Sequence, residues 1–345
     1  MLRHNDCRGE TATPSLVVIS NNNREVGRTP YQSQEGAYMT TGTIGELNEQ
    51  ASVRRFQMDD VTFTFVADGA MSMAPQMFLK TIPTAYWGEH PDELDRNGQV
   101  AMSAGGLLVE RGHHHLLIDA GLGPGTESTP YGQINSGALL DVLMHLGLQG
   151  ADIDVFALTH LHVDHTGWAF VESASGRREP TFPNAPYVVA ALEWEPLRRV
   201  ERPLGVPGEA EFIQPMSEHT NMQLINDGDE VVPGVKAVVT PGHSPGHTSY
   251  VVTTSSGNQL VAFGDCFHTP AQLRHPDWTS APDVDSSAVF GARRRILSEL
   301  GAANTVGFAV HFGDQPFGRV TGGGTEPLIW EPLPTTVLLA PPRAI

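Results

Sequence analysis

The chain has 345 residues, and its 39 acidic against 21 basic side chains give a formal net charge of -18, which speaks against nucleic acid or an anionic membrane surface as a partner. A hydrophobic content of 40% excludes disordered and collagen-like classes and leaves room for a sizeable core. Gly 36 and Pro 26 are high for an ordinary domain, so many turns and loops on a compact scaffold are expected.

The two cysteines, Cys7 and Cys266, lie far apart, and a chain of this length does not need one bridge to hold its core, so a reducing compartment suits it. No apolar run reaches the ~18 residues of a membrane helix, and MLRHNDCRGE followed by the short LVVIS does not form a signal peptide. The expectation is a soluble, cytoplasmic protein with a small-molecule substrate and no membrane or nucleic-acid partner; homodimer formation stays open. Residues 1–52, rich in polar residues without sustained periodicity, read as a disordered leader, with Met39 as an alternative start. A single domain is expected over residues 53–333, followed by an irregular tail over 334–345.

The first predicted strand carries the alternation Val61, Phe63, Phe65 and ends before Asp68-Gly69 and the Met-rich MSMAPQMF segment. Leu107 to Glu110 and His113 to Ile118 flank Arg111-Gly112, which predicts a hairpin whose second strand runs out through Asp119. Leu139, Leu140, Leu143 and Leu146 repeat at helical spacing, with Asn135 or Ser136 as cap and Gly147 past the end, and a strand follows at Val155 to Leu158. The second half repeats the rhythm: strands at Val235 to Val239, Tyr250 to Val252 and Leu260 to Phe263, a helix over Ser286 to Leu300, then a strand at Val306 to Val310. Such alternation predicts α/β layers.

Directly after one apolar strand comes Thr159-His160-Leu161-His162-Val163-Asp164-His165, with four potential metal ligands within six residues. Imidazole and carboxylate together suit zinc or a similar first-row ion, and a loop leaving a strand can aim side chains at two centres. His243 in TPGHSPGH, Asp265 in AFGDC and His311 in FAVHFGD each sit just past a predicted strand, where α/β sites gather. Read singly, each could serve as a turn cap or a satisfied core group; together with the first cluster they make seven ligands, enough for two ions. Two divalent ions sharing a hydroxide would generate a nucleophile at neutral pH, with Asp164 as a candidate proton carrier.

HLHVDH, PGHSPGH, GDC and the late His311 resemble the metallo-β-lactamase superfamily over most of Phe63 to Pro332, and within it the branch of methyl parathion hydrolase and the acyl-homoserine lactonases. The resemblance implies a four-layer αββα sandwich and a dinuclear, zinc-first site. His160, His162 and His243 would hold one ion, Asp164, His165 and His311 the other, and Asp265 would bridge them. It implies a hydrolase of an ester-type bond, in a lactone, aryl ester or phosphotriester, acting through a metal-bridging hydroxide. A thioesterase or β-lactamase of the same fold stays open, as does an iron-dependent oxidoreductase acting on sulfur compounds.

Lactonases of this branch tend to carry a tyrosine three residues past the bridging aspartate, where this sequence has His268, a candidate donor or acid with a plain loop position as the alternative. Trp168, Trp194, Phe267 and Trp278 are candidate pocket walls, Trp194 first, although most buried aromatics are only core. Cys266 reads as a packed thiol, His247 as structural, the His113 to His115 run as a hairpin near solvent and Arg293 to Arg295 as a solvated helix face. Asp68 and Asp119 are expected to hydrogen-bond ligand histidines.

Overall fold

The computed structural model describes residues 32–40, 51–197 and 205–340. Residues 1–31 and 41–50 of the expected leader, Cys7 among them, and the chain end after residue 340 lie outside the described residues.

Two mixed sheets carry the fold. The first orders its strands Gln32–Thr40, Thr335–Ala340, Val53–Met58, Val61–Met73, Val100–Arg111, His114–Ile118, Val155–Ala157, Pro186–Ala190 and Asn221–Ile225. The second runs Glu230–Val232, Val235–Val239, Thr248–Thr253, Gln259–Ala262, Thr305–Phe308, Phe317–Gly323 and Glu326–Pro332. Strand alternation divides the second sheet's side chains between two cores. Ala237, Tyr250, Val252, Leu260 and Phe308 join Phe63, Phe65 and Leu107 of the first sheet, whereas Val238, Val251 and Val261 turn to Ala292, Ile296 and Leu300 of the helix Ser286–Leu300. The helix Leu139–His145 packs Leu139, Val142 and Leu143 against the first sheet, which completes a helix, sheet, sheet, helix arrangement.

Strand direction sets where the loops gather. Val235–Val239 and Gln259–Ala262 are both antiparallel to Thr248–Thr253, and Thr305–Phe308 is parallel to Gln259–Ala262, so these three point the same way. In the first sheet His114–Ile118 and Val155–Ala157 are parallel neighbours. The segments after these strands carry Asp119, His160, His243, Asp265 and His311. Cross-sheet bonds pin this edge, from Thr248 N–H to the Thr159 carbonyl at 2.8 Å and from Tyr250 O–H to the Leu158 carbonyl at 2.7 Å.

The hairpin at Arg111-Gly112 forms with Gly112 at φ +65°, and the helix Ser286–Leu300 starts at Asp285, whose side chain accepts from the amides of Ser287 and Ala288. The other helix begins later than its apolar pattern predicts, at Leu139, because Asp68 takes the amides of Gly137 and Leu139. Both expected unstructured ends need correction. Gln32–Thr40 is a strand, and the segment read as a tail supplies Thr335–Ala340, inserted antiparallel between it and Val53–Met58. Val337 and Leu339 alternate into the core at 1% and 6% exposure, a signal that Pro332 and Pro334 obscure in the sequence.

Buried Arg54 locks this addition in place. Its guanidinium forms a two-pronged pair with Asp314, three residues past His311, and also donates to Thr335 Oγ1 at 3.0 Å and the Thr40 carbonyl at 3.2 Å. Removing one partner of such a pair leaves a buried charge uncompensated, so Arg54→Ala is expected to cost roughly 3–5 kcal/mol in denaturant unfolding. A loss under about 0.5 kcal/mol, the range of ordinary surface changes, would show the pair to be dispensable.

Candidate metal centre

The chain leaves the strand Val155–Ala157 extended, so His160 and His162 project to one side while Leu161 points into the core at 0% exposure. One short helical turn, Val163–Thr166, then returns Asp164 and His165 toward the same place. With His243, Asp265 and His311 they form two overlapping groups: His160, His162, His243 and Asp265, and Asp164, His165, Asp265 and His311. The donor atoms of each group all lie within 4.8 Å of one another.

Asp265 is the shared member. Its Oδ1 is 3.0 Å from both His165 Nε2 and His311 Nε2, while its Oδ2 is 3.2 Å from His243 Nε2 and 3.8 Å from His160 Nε2. Asp164 Oδ2 stands 3.7 Å from both His165 Nε2 and His311 Nε2. His162 Nδ1 and His243 Nε2 face each other at 2.9 Å, a little inside the ~3.3 Å expected of two nitrogens on one tetrahedral zinc with Zn–N bonds near ~2.0 Å.

His160, His165, His243 and His311 engage their other ring nitrogen behind the cluster. His165 Nδ1 donates to Asp119 Oδ2 at 2.8 Å, His243 Nδ1 to Asp283 Oδ1 at 2.9 Å and His311 Nδ1 to the Ser103 carbonyl at 2.8 Å. His160 Nδ1 reaches Thr159 Oγ1 at 3.1 Å, and that hydroxyl itself donates to Asp119. These bonds fix tautomer and ring orientation so that each Nε2 faces inward. The Nε2 atoms of His160, His165 and His311 and Oδ1 of Asp265 are buried with no hydrogen-bond partner. Buried polar atoms left so are costly, and metal ions are the partners this donor set suits.

Electrostatics separate the imidazoles. Burial pushes His162 down to about 3 and, with the neighbouring histidines, holds His160 well below its ordinary value. For His165 and His243 burial acts the same way but is overridden, by Asp265, Asp164 and Asp119 for His165, which stands well above its usual range, and by Asp265 and Asp283 for His243, raised to about 9. Burial would raise Asp265, yet His311, His165 and His243 hold it far below the usual carboxylate range. Protons thus collect around an ionised Asp265 where cations would bind, and each must leave as an ion enters.

His268 is 1% exposed and also meets the cluster, its Nε2 3.0 Å from Asp265 Oδ2 and its Nδ1 buried without a partner. Its ring lies parallel to that of His311 at 5.7 Å. His247 is engaged too: its Nε2 accepts the Asp265 amide at 2.9 Å.

Three of the aromatics expected near the site lie deep in the protein. Trp194 and Phe267 are buried at 2% and 0%, packed among the apolar side chains of the two large cores. Trp168, at 7%, donates from Nε1 to Asp68 Oδ1. Asp68 holds that indole and the amides of Leu122, Gly123, Gly137 and Leu139 rather than a ligand histidine, whereas Asp119 does reach His165. Arg293 is not solvated: fully buried, it donates to the carbonyls of Cys266, Pro276 and Trp278 and pairs with Asp283. Sequence reasoning missed Asp283, a lone acid in a Pro-containing loop that carries no pattern, and Glu193, whose position just past an apolar strand was the available signal.

Among curated relatives, N-acyl homoserine lactonase of Bacillus thuringiensis is 31% identical over 131 residues, 38% of this chain and 45% of that protein. The AttM lactonase of Azorhizobium caulinodans is 26% identical over 227 residues, 58% of this chain and 79% of that protein. The chain spans about half the length of the first of these relatives. Of solved structures, AidC, a dizinc quorum-quenching lactonase with bound product, matches at a TM-score of 0.71 and 18% identity, over 83% of this chain and 99% of its own. The hydrolase AbOPH of the beta lactamase superfamily matches at 0.69 and 24%, over 82% and 98%. Both establish the four-layer fold. The metallo-beta-lactamase superfamily model matches residues 106–301, more than half of the chain and a stretch that holds every candidate ligand except His311, and the chain therefore belongs to that superfamily.

Proposed function

We propose that the chain is a metal-dependent hydrolase that holds two divalent ions, zinc first, and cleaves an ester-type bond in a small molecule: a lactone, an aryl ester or a phosphotriester. The observation that carries this reading is Asp265, whose two oxygens face two separate sets of buried imidazoles. His160, His162 and His243 would hold one ion and Asp164, His165 and His311 the other, with Asp265 shared by both groups. Bound there, the pair of ions supplies Lewis acidity and a water whose pKa falls toward ~7.

The chain's own groups do the rest. Asp164 has the most exposed side chain of the cluster's carboxylates, at 19%, so its Oδ2 is placed to carry a proton between the cluster and a departing oxygen. His268 steadies Asp265 or donates to the substrate oxygen beside it. The curated relatives are lactonases, which puts lactones first among the substrates. The charge of -18 disfavours nucleic acid, no described helix is long and apolar enough to cross a membrane, and the buried free thiol of Cys266 suits the cytoplasm.

Elemental analysis of the purified chain, followed by a hydrolysis panel of lactones, aryl esters, phosphotriesters, thioesters and β-lactams, tests this. About two first-row ions per chain and turnover of an oxygen ester are expected. Full activity after complete chelation would sink the reading, and turnover confined to thioesters or β-lactams would move the substrate class.

A further inference from the structure

Glu193 follows the strand Pro186–Ala190 and is 4% exposed, yet it ion-pairs with no cationic side chain among the described residues. Its Oε1 accepts the amide of Leu161 at 3.1 Å, and its Oε2 accepts Ser244 Oγ at 2.7 Å and the amide of Gly246 at 2.8 Å. Leu161 stands between His160 and His162; Ser244 and Gly246 follow His243. One buried carboxylate therefore joins the two chain segments that carry all three histidines of one half of the cluster. The other half hangs on different partners, Asp119 behind His165 and the Ser103 carbonyl behind His311.

The approach is close. A Cβ on Gly246 would lie 2.1 Å from the Glu193 backbone nitrogen, so that position has no room for a side chain. Gly246 leads directly into His247, whose Nε2 receives the Asp265 amide, and the clamp thereby extends to the shared carboxylate.

We infer that Glu193 is a positioning residue that sets the affinity of the His160, His162 and His243 half of the centre, separately from the other half. The inference rests on the two-ion reading. Its physical basis is that a carboxylate only accepts, and every group facing this one is a donor. An amide in its place would keep one acceptor oxygen for one segment and turn an NH₂ toward the other segment's N–H. A side chain without oxygen would leave the Leu161 and Gly246 amides unpaired and free the two segments to drift apart. Partners behind metal ligands are commonly worth about 10–100-fold in metal affinity.

The test is a chelator titration of the zinc-loaded full chain, which should release its ions in two steps, with His311→Ala marking the step that belongs to the other half. Glu193→Ala should weaken the step that survives in His311→Ala by about 10–100-fold and leave the other within about threefold. Glu193→Gln should fall between Glu193→Ala and wild type. Ser244→Ala, which keeps both segments tied through the two amides, should move that step little. Cobalt-loaded Glu193→Gln should show an altered visible absorption band, which a merely structural anchor would not change. The inference is overturned if neither step moves in the glutamine and alanine variants, or if both steps weaken equally alongside a lower melting temperature. A wild-type chain that takes up no ion overturns the two-ion reading and this inference with it, whereas two ions in wild type with unmoved variants overturn only the role of Glu193. If Glu193→Ala does not fold, the order Ser244→Ala, then Glu193→Gln, carries the test, and an order reversed or flat overturns it.

Discussion

Replacing Asp265 with Ala should remove one of the two ions and lower turnover by about 10³-fold or more. No other side chain of the cluster presents an oxygen to each half: Oδ1 stands 3.0 Å from the Nε2 atoms of His165 and His311, and Oδ2 stands 3.2 Å from His243. The substitution also takes the central negative charge from a group of buried imidazoles, three of which it helps hold above their usual pKa range. Cys266→Ala, one residue away, should leave both metal content and rate within a few-fold of wild type. That thiol is buried, and burial pushes it up to about 11 against a small opposing pull from Thr240, which is the wrong direction for a nucleophilic thiolate. Metal analysis and steady-state kinetics on the two variants decide the matter. An active, doubly loaded Asp265→Ala protein would remove the bridge, and a Cys266→Ala protein that keeps its metal but loses turnover would make the thiol the nucleophile.

The parts of this site that local chain geometry dictates were legible in the sequence. His160, His162, Asp164 and His165 follow one strand, so their spacing alone places them together, and His243, Asp265 and His311 could be added because each sits just past a predicted strand; that these strands run the same way is what brings the three together. What stands behind the ligands was less visible. Asp283 reaches His243 from 40 residues away with no pattern to reveal it, and Glu193 reaches Leu161 and Gly246 from 32 and 53, with only its place past an apolar strand as a signal. Arg293 looked solvated because it sits in a basic run, but helix periodicity turns it inward while Arg294 faces out. The aromatics are no easier to assign for a related reason: residue type predicts burial, and burial in a core and burial around a ligand read alike. The same limit hid Thr335–Ala340, whose pairing partners begin some 280 residues earlier and whose flanking prolines resemble a frayed end.

His268→Ala is expected to lower turnover by about 10²-fold on the best substrate while both ions stay bound. The resemblance implies a tyrosine at this sequence position in lactonases of the branch, and the ring here is firmly held: its amide donates to Gln272 Oε1 at 2.7 Å, Phe78 meets its face edge-on at 5.4 Å and Nε2 lies 3.0 Å from Asp265 Oδ2. Burial lowers its pKa below the ordinary histidine value, more than Asp265 raises it, so near neutral pH the ring is uncharged and carries a single proton. A neutral imidazole here can do one of two things. With its proton on Nε2 it orients Asp265, or that same N–H would meet the oxygen of a substrate carbonyl or phosphoryl group beside Asp265. Metal content separates the two roles. A donor to the substrate predicts two ions per chain in His268→Ala, a loss concentrated in kcat, a pH profile lacking one limb, and partial recovery in His268→Tyr, whose phenol supplies the hydrogen bond from nearly the same point. A residue that only orients Asp265 predicts that the ions loosen as the rate falls and that the tyrosine does not restore them. An unaltered rate and pH profile in His268→Ala would leave the ring as packing between Phe78 and His311, with stabilisation of the developing oxyanion left to the ligand cluster.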